Sequence, residues 1–276
     1  MVALDDLIDR ALAEDIHTGD VTTQSVISAP RPMTGVVIAK EDLVLAGVEI
    51  PHRVFARLDP SVRCTPLRSD GERLVRGDVI ATLEGDSRSL LMGERVSLNF
   101  LQRMCGTATL TRRYVDAIAG TKARIVDTRK TTPGLRILEK YAVRVGGGHN
   151  HRFGLYDGVL IKENHIAAAG GVTAAIRNAR SVIPHTLKIE IETETLEQVE
   201  EALSAGADII MLDNMTIDQM KSAVRLVGGR VLLEASGGVS LEKVREIAET
   251  GVDIISVGAL THSAKASDIS MLLEGA

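Results

Sequence analysis

The chain has 276 residues, of which 45% are hydrophobic and 25% charged, and its formal net charge is −5. That composition excludes a disordered chain and a membrane-spanning bundle, and the acidic balance argues against a general nucleic-acid binder. Three Phe, three Tyr and no Trp leave an aliphatic core and little material for stacking on single-stranded nucleic acid.

The length favours a single α/β barrel or two unequal domains. The opening "MVALDDLIDRALAEDIHTGD" places acids where a signal peptide needs an apolar core. Cys64 and Cys105, without C-x-x-C spacing, cannot build a disulfide framework and read as small buried apolar residues. Both features point to a cytoplasmic protein.

Leu4, Leu7, Ile8, Ala11 and Leu12 recur at helical spacing, and Asp5 and Asp6 fall where the helix dipole favours negative charge, so the chain opens with an amphipathic helix. From Gly35 to about Glu84, the runs "GVVIAKEDLVLAG" and "GERLVRGDVIATLEG" between Gly and Asp turn signals predict a small sheet-rich domain. Ser89 to Ala119 has apolar residues at three- and four-residue steps and no proline, which predicts a long helix or a bent pair linking two domains.

Beyond Gly120 the chain becomes periodic. Apolar cores start near residues 124, 158, 187, 207, 230 and 252, with helical stretches such as "TLEQVEEALSAGA" between them. Parallel strands need such crossovers, so six βα units predict an open, incomplete parallel (β/α) barrel. Its strands end in Arg129 and Lys130, Lys162 and Glu163, Glu190 and Glu192, Asp213, Glu234 and Ser236, and Gly258. In parallel barrels the C-terminal strand ends form the active-site face, so these groups should converge.

Between Asp127 and His165 seven cations face four anions. Two like charges about 5 Å apart repel by roughly 3 kcal/mol at an effective dielectric near 20, so converging cations call for a multiply anionic ligand. Arg136, Lys140 and Arg144, four residues apart beside Glu139, read instead as a solvated helix face. The stretch "VGGGHNHR" tempts a zinc reading, but His149 and His151 lack nearby cysteines and the i, i+4 spacing of a helical pair. His149 reads as a loop residue. His151 suits hydrogen bonding to an anion, and the glycines would let backbone turn close to it.

The last strands end "EASGGVS" and "SVGALTHS", where Gly237, Gly238 and Gly258 would free backbone N–H groups at helix N-termini for phosphate. Glu190, Glu192 and Asp213 on intervening strands could hold Mg²⁺ or bind sugar hydroxyls, and alternation puts Glu190 and Glu192 on one face.

Together, "ALAEDIHTGDVTT", "DTRKTTPGLRILEKYAVRVGGGHNHRFGLYDGVLIKENHI", "MLDNM", "LEASGG" and "SVGALTHS" resemble the quinolinate phosphoribosyltransferases, nearly end to end. The resemblance implies an N-terminal α/β sandwich domain over 1–106 and an open α/β barrel with the active site over 107–263, with 264–276 packing back on the first. It implies transfer of phosphoribosyl from phosphoribosyl pyrophosphate to quinolinate with decarboxylation, giving nicotinate mononucleotide for NAD synthesis. It also implies a homodimer with shared active sites, leaving open a hexamer of dimers. By matching positions, quinolinate would fall on Arg129, His151, Arg152 and Lys162, with Lys130 near both substrates and Arg95 supplied by the neighbouring subunit. Glu192 and Asp213 would meet the ribose and Mg²⁺, directly or indirectly. Ser236, Gly237, Gly238, Gly258 and Ala259 would receive the 5′-phosphate. Two alternatives share the fold or the ligand: a pyrophosphorylase-like protein associated with molybdate transport, and a non-catalytic sensor of quinolinate or a phosphosugar. Nicotinate lacks the 2-carboxylate, so the full cation set favours the diacid, and the presence of both Glu192 and Asp213 argues against the sensor.

Overall fold

The computed structural model describes residues 2–275. In chain order the elements are α1 (Val2–Ile16), α2 (Val21–Val26), β1 (Pro32–Ala39), β2 (Leu43–Val44), α3 (Ile50–Leu58), β3 (Arg63–Pro66), β4 (Arg73–Leu74), β5 (Val79–Asp86), α4 (Ser87–Ala117) and β6 (Arg124–Val126). They continue with α5 (Arg136–Val145), β7 (Val159–Ile161), α6 (Glu163–Ala169), α7 (Val172–Val182), β8 (Ile189–Thr193), α8 (Leu196–Ser204) and β9 (Ile209–Asp213). The chain then closes with α9 (Ile217–Val227), β10 (Leu232–Ser236), α10 (Val244–Glu249), β11 (Ile254–Ser256), α11 (Ala259–His262) and β12 (Ile269–Gly275).

Two compact units result. The first holds the chain up to Arg112, Thr132–Gly147, and the chain from Ser263 onward. Its sheet runs β12-β1-β5-β3 with antiparallel pairing. Val37, Ala39, Ile80, Leu83, Leu90 and Leu101 are buried together in one cluster. The apolar stripe of α1 buries Ile8 and Leu12 with Ile50 and Val54 of α3 and Phe100 of α4. Arg53 and Arg57 of α3 pair with Asp5 and Asp9 of α1.

The units divide the chain differently from the expected 1–106 and 107–263, because α5 belongs to the first. Leu138 and Ala142 enter its core, and Tyr141 donates its hydroxyl to Asp70 Oδ2 at 2.6 Å. The expectation of a solvated α5 cation face fails at Lys140, which is only 1% exposed. The buried face of α5 takes in Leu138, Glu139, Lys140, Ala142 and Val143, so Lys140 points inward while Arg136 is half-buried and Arg144 exposed.

The second unit, Arg113–Thr131 and Gly148–His262, is a six-stranded parallel sheet in the order β6-β11-β10-β9-β8-β7. Around a closed barrel β6 and β7 would be neighbours; here that seam stays open. Parallel βα units alone would leave the free edge of β6 unpaired. His149 covers part of it by a parallel bridge to Val126, its N–H donating to Ile125 O at 2.8 Å and its carbonyl accepting from Asp127 N at 3.1 Å. His149 is therefore an edge residue of the barrel, not a free loop. Alternation sends Ile189, Ile191, Ile210, Leu212, Leu233 and Ala235 to a buried apolar face. The opposite face carries Glu190, Glu192, Met211, Asp213, Glu234 and Ser236, all but Met211 polar where barrel interiors are ordinarily filled by branched aliphatics.

Candidate active site

A cavity of about 450 Å³ opens at the C-terminal ends of the parallel strands. Arg129, Lys130, His151, Arg152, Lys162, Glu192, Asp213, Glu234, Ser236, Gly237 and Gly238 line it, so most of the strand-end groups do come together. Thr128, Leu160, Met211, Asn214 and Ser256 complete the wall. Of the other strand-end residues, Glu163, Gly258 and Ala259 are not in the lining, and Glu190 borders a second cavity of about 330 Å³. Arg95 lies on α4 in the first unit, exposed, its Nη2 3.9 Å from Glu94 Oε1.

Asp127, fully buried at the end of β6, organises the cationic side. Its carboxylate accepts from His151 N at 2.9 Å and from Asn150 Nδ2 at 2.5 Å, fixing the segment that crosses the open seam. The His151 ring is wired inward. Nδ1 accepts the Arg152 N–H at 2.8 Å, and Nε2 lies 2.8 Å from Glu190 Oε2 and 3.7 Å from Glu234 Oε2. Both ring nitrogens are thus engaged by protein groups, although the ring also borders the cavity. Arg152 Nη1 donates to Gly158 O at 2.9 Å. Burial first, and then the charge of Arg129, pull the Arg152 guanidinium below its ordinary pKa.

The acidic side faces these cations. The Lys162 ammonium is paired with the Glu192 carboxylate. Asp213 Oδ2 accepts from Asn214 Nδ2 at 2.9 Å, and Asn214 has a φ of 53°, in the left-handed region. Glu234 is 1% exposed. Its carboxyl is pushed up to about 8, first by burial and then by the charge of Glu190. Two buried acids side by side cannot both ionise cheaply.

Of three local expectations about glycines, two change. Gly237 and Gly238, with φ of 89° and 59°, form a turn after β10, but α10 starts only at Val244, so this turn is not a helix N-terminus. Gly258 precedes a helix of four residues, and a Cβ there would lie 3.1 Å from Lys130 Cδ. The glycines before His149 answer to packing: a Cβ on Gly146 would lie 2.6 Å from Ala108 O, and Gly147 has a φ of 90°. Neither lines the cavity. Cys105 is buried as expected, while Cys64 is only half-buried; desolvation pushes Cys64 up to about 11 and Cys105 up to about 12.

Glu234 is legible as a strand-end acid, and its two-residue offset from Ser236 puts it on the cavity face, yet no sequence pattern assigns it a role. The role of Asp127 is not readable locally, because the backbone N–H that it holds lies 24 residues away and only the fold brings the two together.

Family models described as the quinolinate phosphoribosyl transferase N-terminal domain and C-terminal domain match residues 20–105 and 107–272. The chain belongs to the quinolinate phosphoribosyltransferase family. Among relatives, it is 48% identical to "Probable nicotinate-nucleotide pyrophosphorylase [carboxylating]" of Bacillus subtilis over 96% of this chain and 91% of that one. It is 46% identical to "Nicotinate-nucleotide pyrophosphorylase [carboxylating]" of Mycobacterium leprae over 96% and 95%. Among solved structures, the nicotinate-nucleotide pyrophosphorylase from Francisella tularensis superposes with a TM-score of 0.95 at 42% identity, over 99% of this chain and 96% of that one. Family membership therefore rests on both units and not on the barrel alone. No helix among the described residues is long and apolar enough to cross a membrane.

Proposed function

We propose that the protein is a decarboxylating quinolinate phosphoribosyltransferase, joining quinolinate to phosphoribosyl pyrophosphate to give nicotinate mononucleotide, pyrophosphate and CO₂ in NAD biosynthesis. The observation that carries this reading is the meeting of Arg129, Arg152 and Lys162 with Glu192 and Asp213 in one cavity. The cations match two adjacent carboxylates on a pyridine ring, with Arg forks suited to planar anions. Held there, the ring nitrogen can approach the anomeric carbon in line. Glu192 and Asp213 present hard carboxylate oxygens from adjacent strands, a donor set that fits Mg²⁺, and they are the residues that would hold it, directly or through water. Bound, the ion would neutralise charge on the departing pyrophosphate.

In this reading the N–C1′ bond forms as the C1′–O bond to pyrophosphate breaks, through an oxocarbenium-like state that the carboxylates favour. Lys130, exposed at the end of β6, neutralises charge at the reaction centre. The C2–carboxylate bond then breaks, its electron pair is stabilised beside the positive ring nitrogen, and C2 takes a proton. Ser236, Gly237 and Gly238, with Gly258 and Ala259 beyond them, are assigned to the 5′-phosphate. The family resemblance further supports a cytoplasmic homodimer in which Arg95 reaches the neighbouring subunit's site.

The test is to mix the protein with Mg²⁺, quinolinate and phosphoribosyl pyrophosphate and follow CO₂ and nicotinate mononucleotide. Turnover of nicotinate with none of quinolinate would reject the proposal.

A further inference from the structure

We propose that Glu190 and Glu234 are positioning residues that set the quinolinate subsite through the His151 ring and the backbone of Arg152. The inference rests on the proposed reading of that subsite and adds to it two buried acids that act through His151.

The His151 ring fixes its own protonation by geometry. Because Nδ1 accepts the Arg152 N–H at 2.8 Å, Nδ1 carries no hydrogen. The ring hydrogen therefore sits on Nε2 and is donated to Glu190 Oε2 at 2.8 Å. His151 is a neutral connector between Glu190 and the Arg152 backbone rather than a cation for the substrate. With His151 N–H held by Asp127 and the Arg152 guanidinium held by Gly158 O, Arg152 is anchored at both ends.

Glu190 and Glu234 are 4% and 1% exposed, and each leaves an Oε1 atom buried without a hydrogen-bond donor among the described residues. Such burial is costly and calls for a reason. The donor atoms of His151, Glu190 and Glu234 lie within 4.8 Å of one another, a spacing that suits a metal ion too. A proton on Glu234, donated to Glu190, accounts for the pair without one, and Glu234 is held protonated to about 8. Glu190 then keeps a full acceptor for the His151 Nε2–H. The ring borders the active-site cavity and also the second cavity of about 330 Å³, so hydrogen bonds rather than close packing hold its orientation. Misplacement by about 1 Å can cost 10²-fold in rate, which makes this anchoring consequential.

Steady-state kinetics with each substrate varied, together with ¹⁵N NMR of histidine-labelled protein, test the proposal. Wild-type protein that does not turn over quinolinate would defeat the functional reading and leave the NMR test standing. In Glu190→Ala the KM for quinolinate is expected to rise by about tenfold or more, with the KM for phosphoribosyl pyrophosphate within about threefold. Glu190→Gln, whose carbonyl still accepts from Nε2–H, should restore both constants to within about threefold of wild type, and Glu234→Gln, a permanent neutral donor, should do the same. Equal changes in both KM values, or no rescue by glutamine, would overturn the assignment. In wild-type protein the His151 signals, assigned by their loss in His151→Gln, should show hydrogen on Nε2 only at about pH 7.5. An imidazolium or an Nδ1–H tautomer there would also overturn it, even if Glu190→Ala fails to fold.

Discussion

Lys162 and Glu192, thirty residues apart in the chain, are ion-paired within the cavity, although the proposed function assigns them to different substrates. The ammonium is about half exposed, and exposed pairs contribute little, so a bound dicarboxylate can take the ammonium from Glu192 at small cost. Under the proposed function, Glu192 would then be free for the second substrate.

Lys162→Ala and Arg152→Ala are accordingly expected to weaken quinolinate binding about 10- to 100-fold, the range of one charge-assisted hydrogen bond, with phosphoribosyl pyrophosphate affinity changed by less than about threefold. Calorimetric titration with each ligand alone checks this. Equal losses for both ligands would show the division of the site to be wrong.

Gly237 and Asn214 constrain one another. A Cβ on Gly237 would run into the Asn214 side chain, and Gly237 itself sits at a φ of 89°. Gly237→Ala should therefore destabilise the fold by more than the roughly 1–2 kcal/mol of left-handed strain alone. Asn214→Gly relieves its own positive φ but loses the hydrogen bond to Asp213, so stability should hold while activity falls. In the double variant, part of the Gly237→Ala loss in denaturant midpoint should return, because the clash is gone. Strict additivity would mean that the two residues do not meet.

The strand ends are readable because period-two alternation and parallel βα spacing are properties of sequence alone. They determine which residues of β8, β9 and β10 share a face with Glu192, Asp213 and Ser236. Burial of Lys140 is not readable, since helical spacing places residues on a face without saying what that face meets. The inward wiring of His151 is hidden for a related reason: Glu190 lies 39 residues further along, and only the open seam brings them together. The glycines of "VGGGHNHR" mislead in the same way, as room for a ligand and room for α4 look identical in a sequence.

Glu234 makes a statement about stability against pH. Its pKa is raised from 4.5 to about 8 in the folded protein, so between those values the native state holds a proton that the unfolded state has lost. Stability from this group is present below about pH 4.5 and is lost as pH rises toward 8. Each tenfold gain in proton affinity on folding is worth about 1.4 kcal/mol, and discounting for the proton shared between the two acids leaves a fall on the order of 2 kcal/mol between pH 5 and 8. Glu234→Gln removes the titration, so the difference in unfolding free energy between variant and wild type should move in favour of the variant as pH rises. Urea melts at about pH 5, 6.5 and 8 provide the measurement, and a difference that stays constant with pH would refute the raised pKa.

Arg95 provides the sharpest test of the proposed shared site. If each site takes Arg95 from one subunit and Glu192 from the other, a dimer of one Arg95→Ala chain and one Glu192→Ala chain has one site with both lesions and one with neither. Each variant alone should be nearly inactive. Random 1:1 reassembly makes half the dimers mixed, each with one intact site of two, so about a quarter of wild-type activity should return. Differently tagged chains allow the mixed dimers to be isolated, and there the expected recovery is about half. Inactive mixed dimers would place Arg95 outside the neighbouring site, and the cations of the cavity itself would then have to account for the whole charge of the diacid.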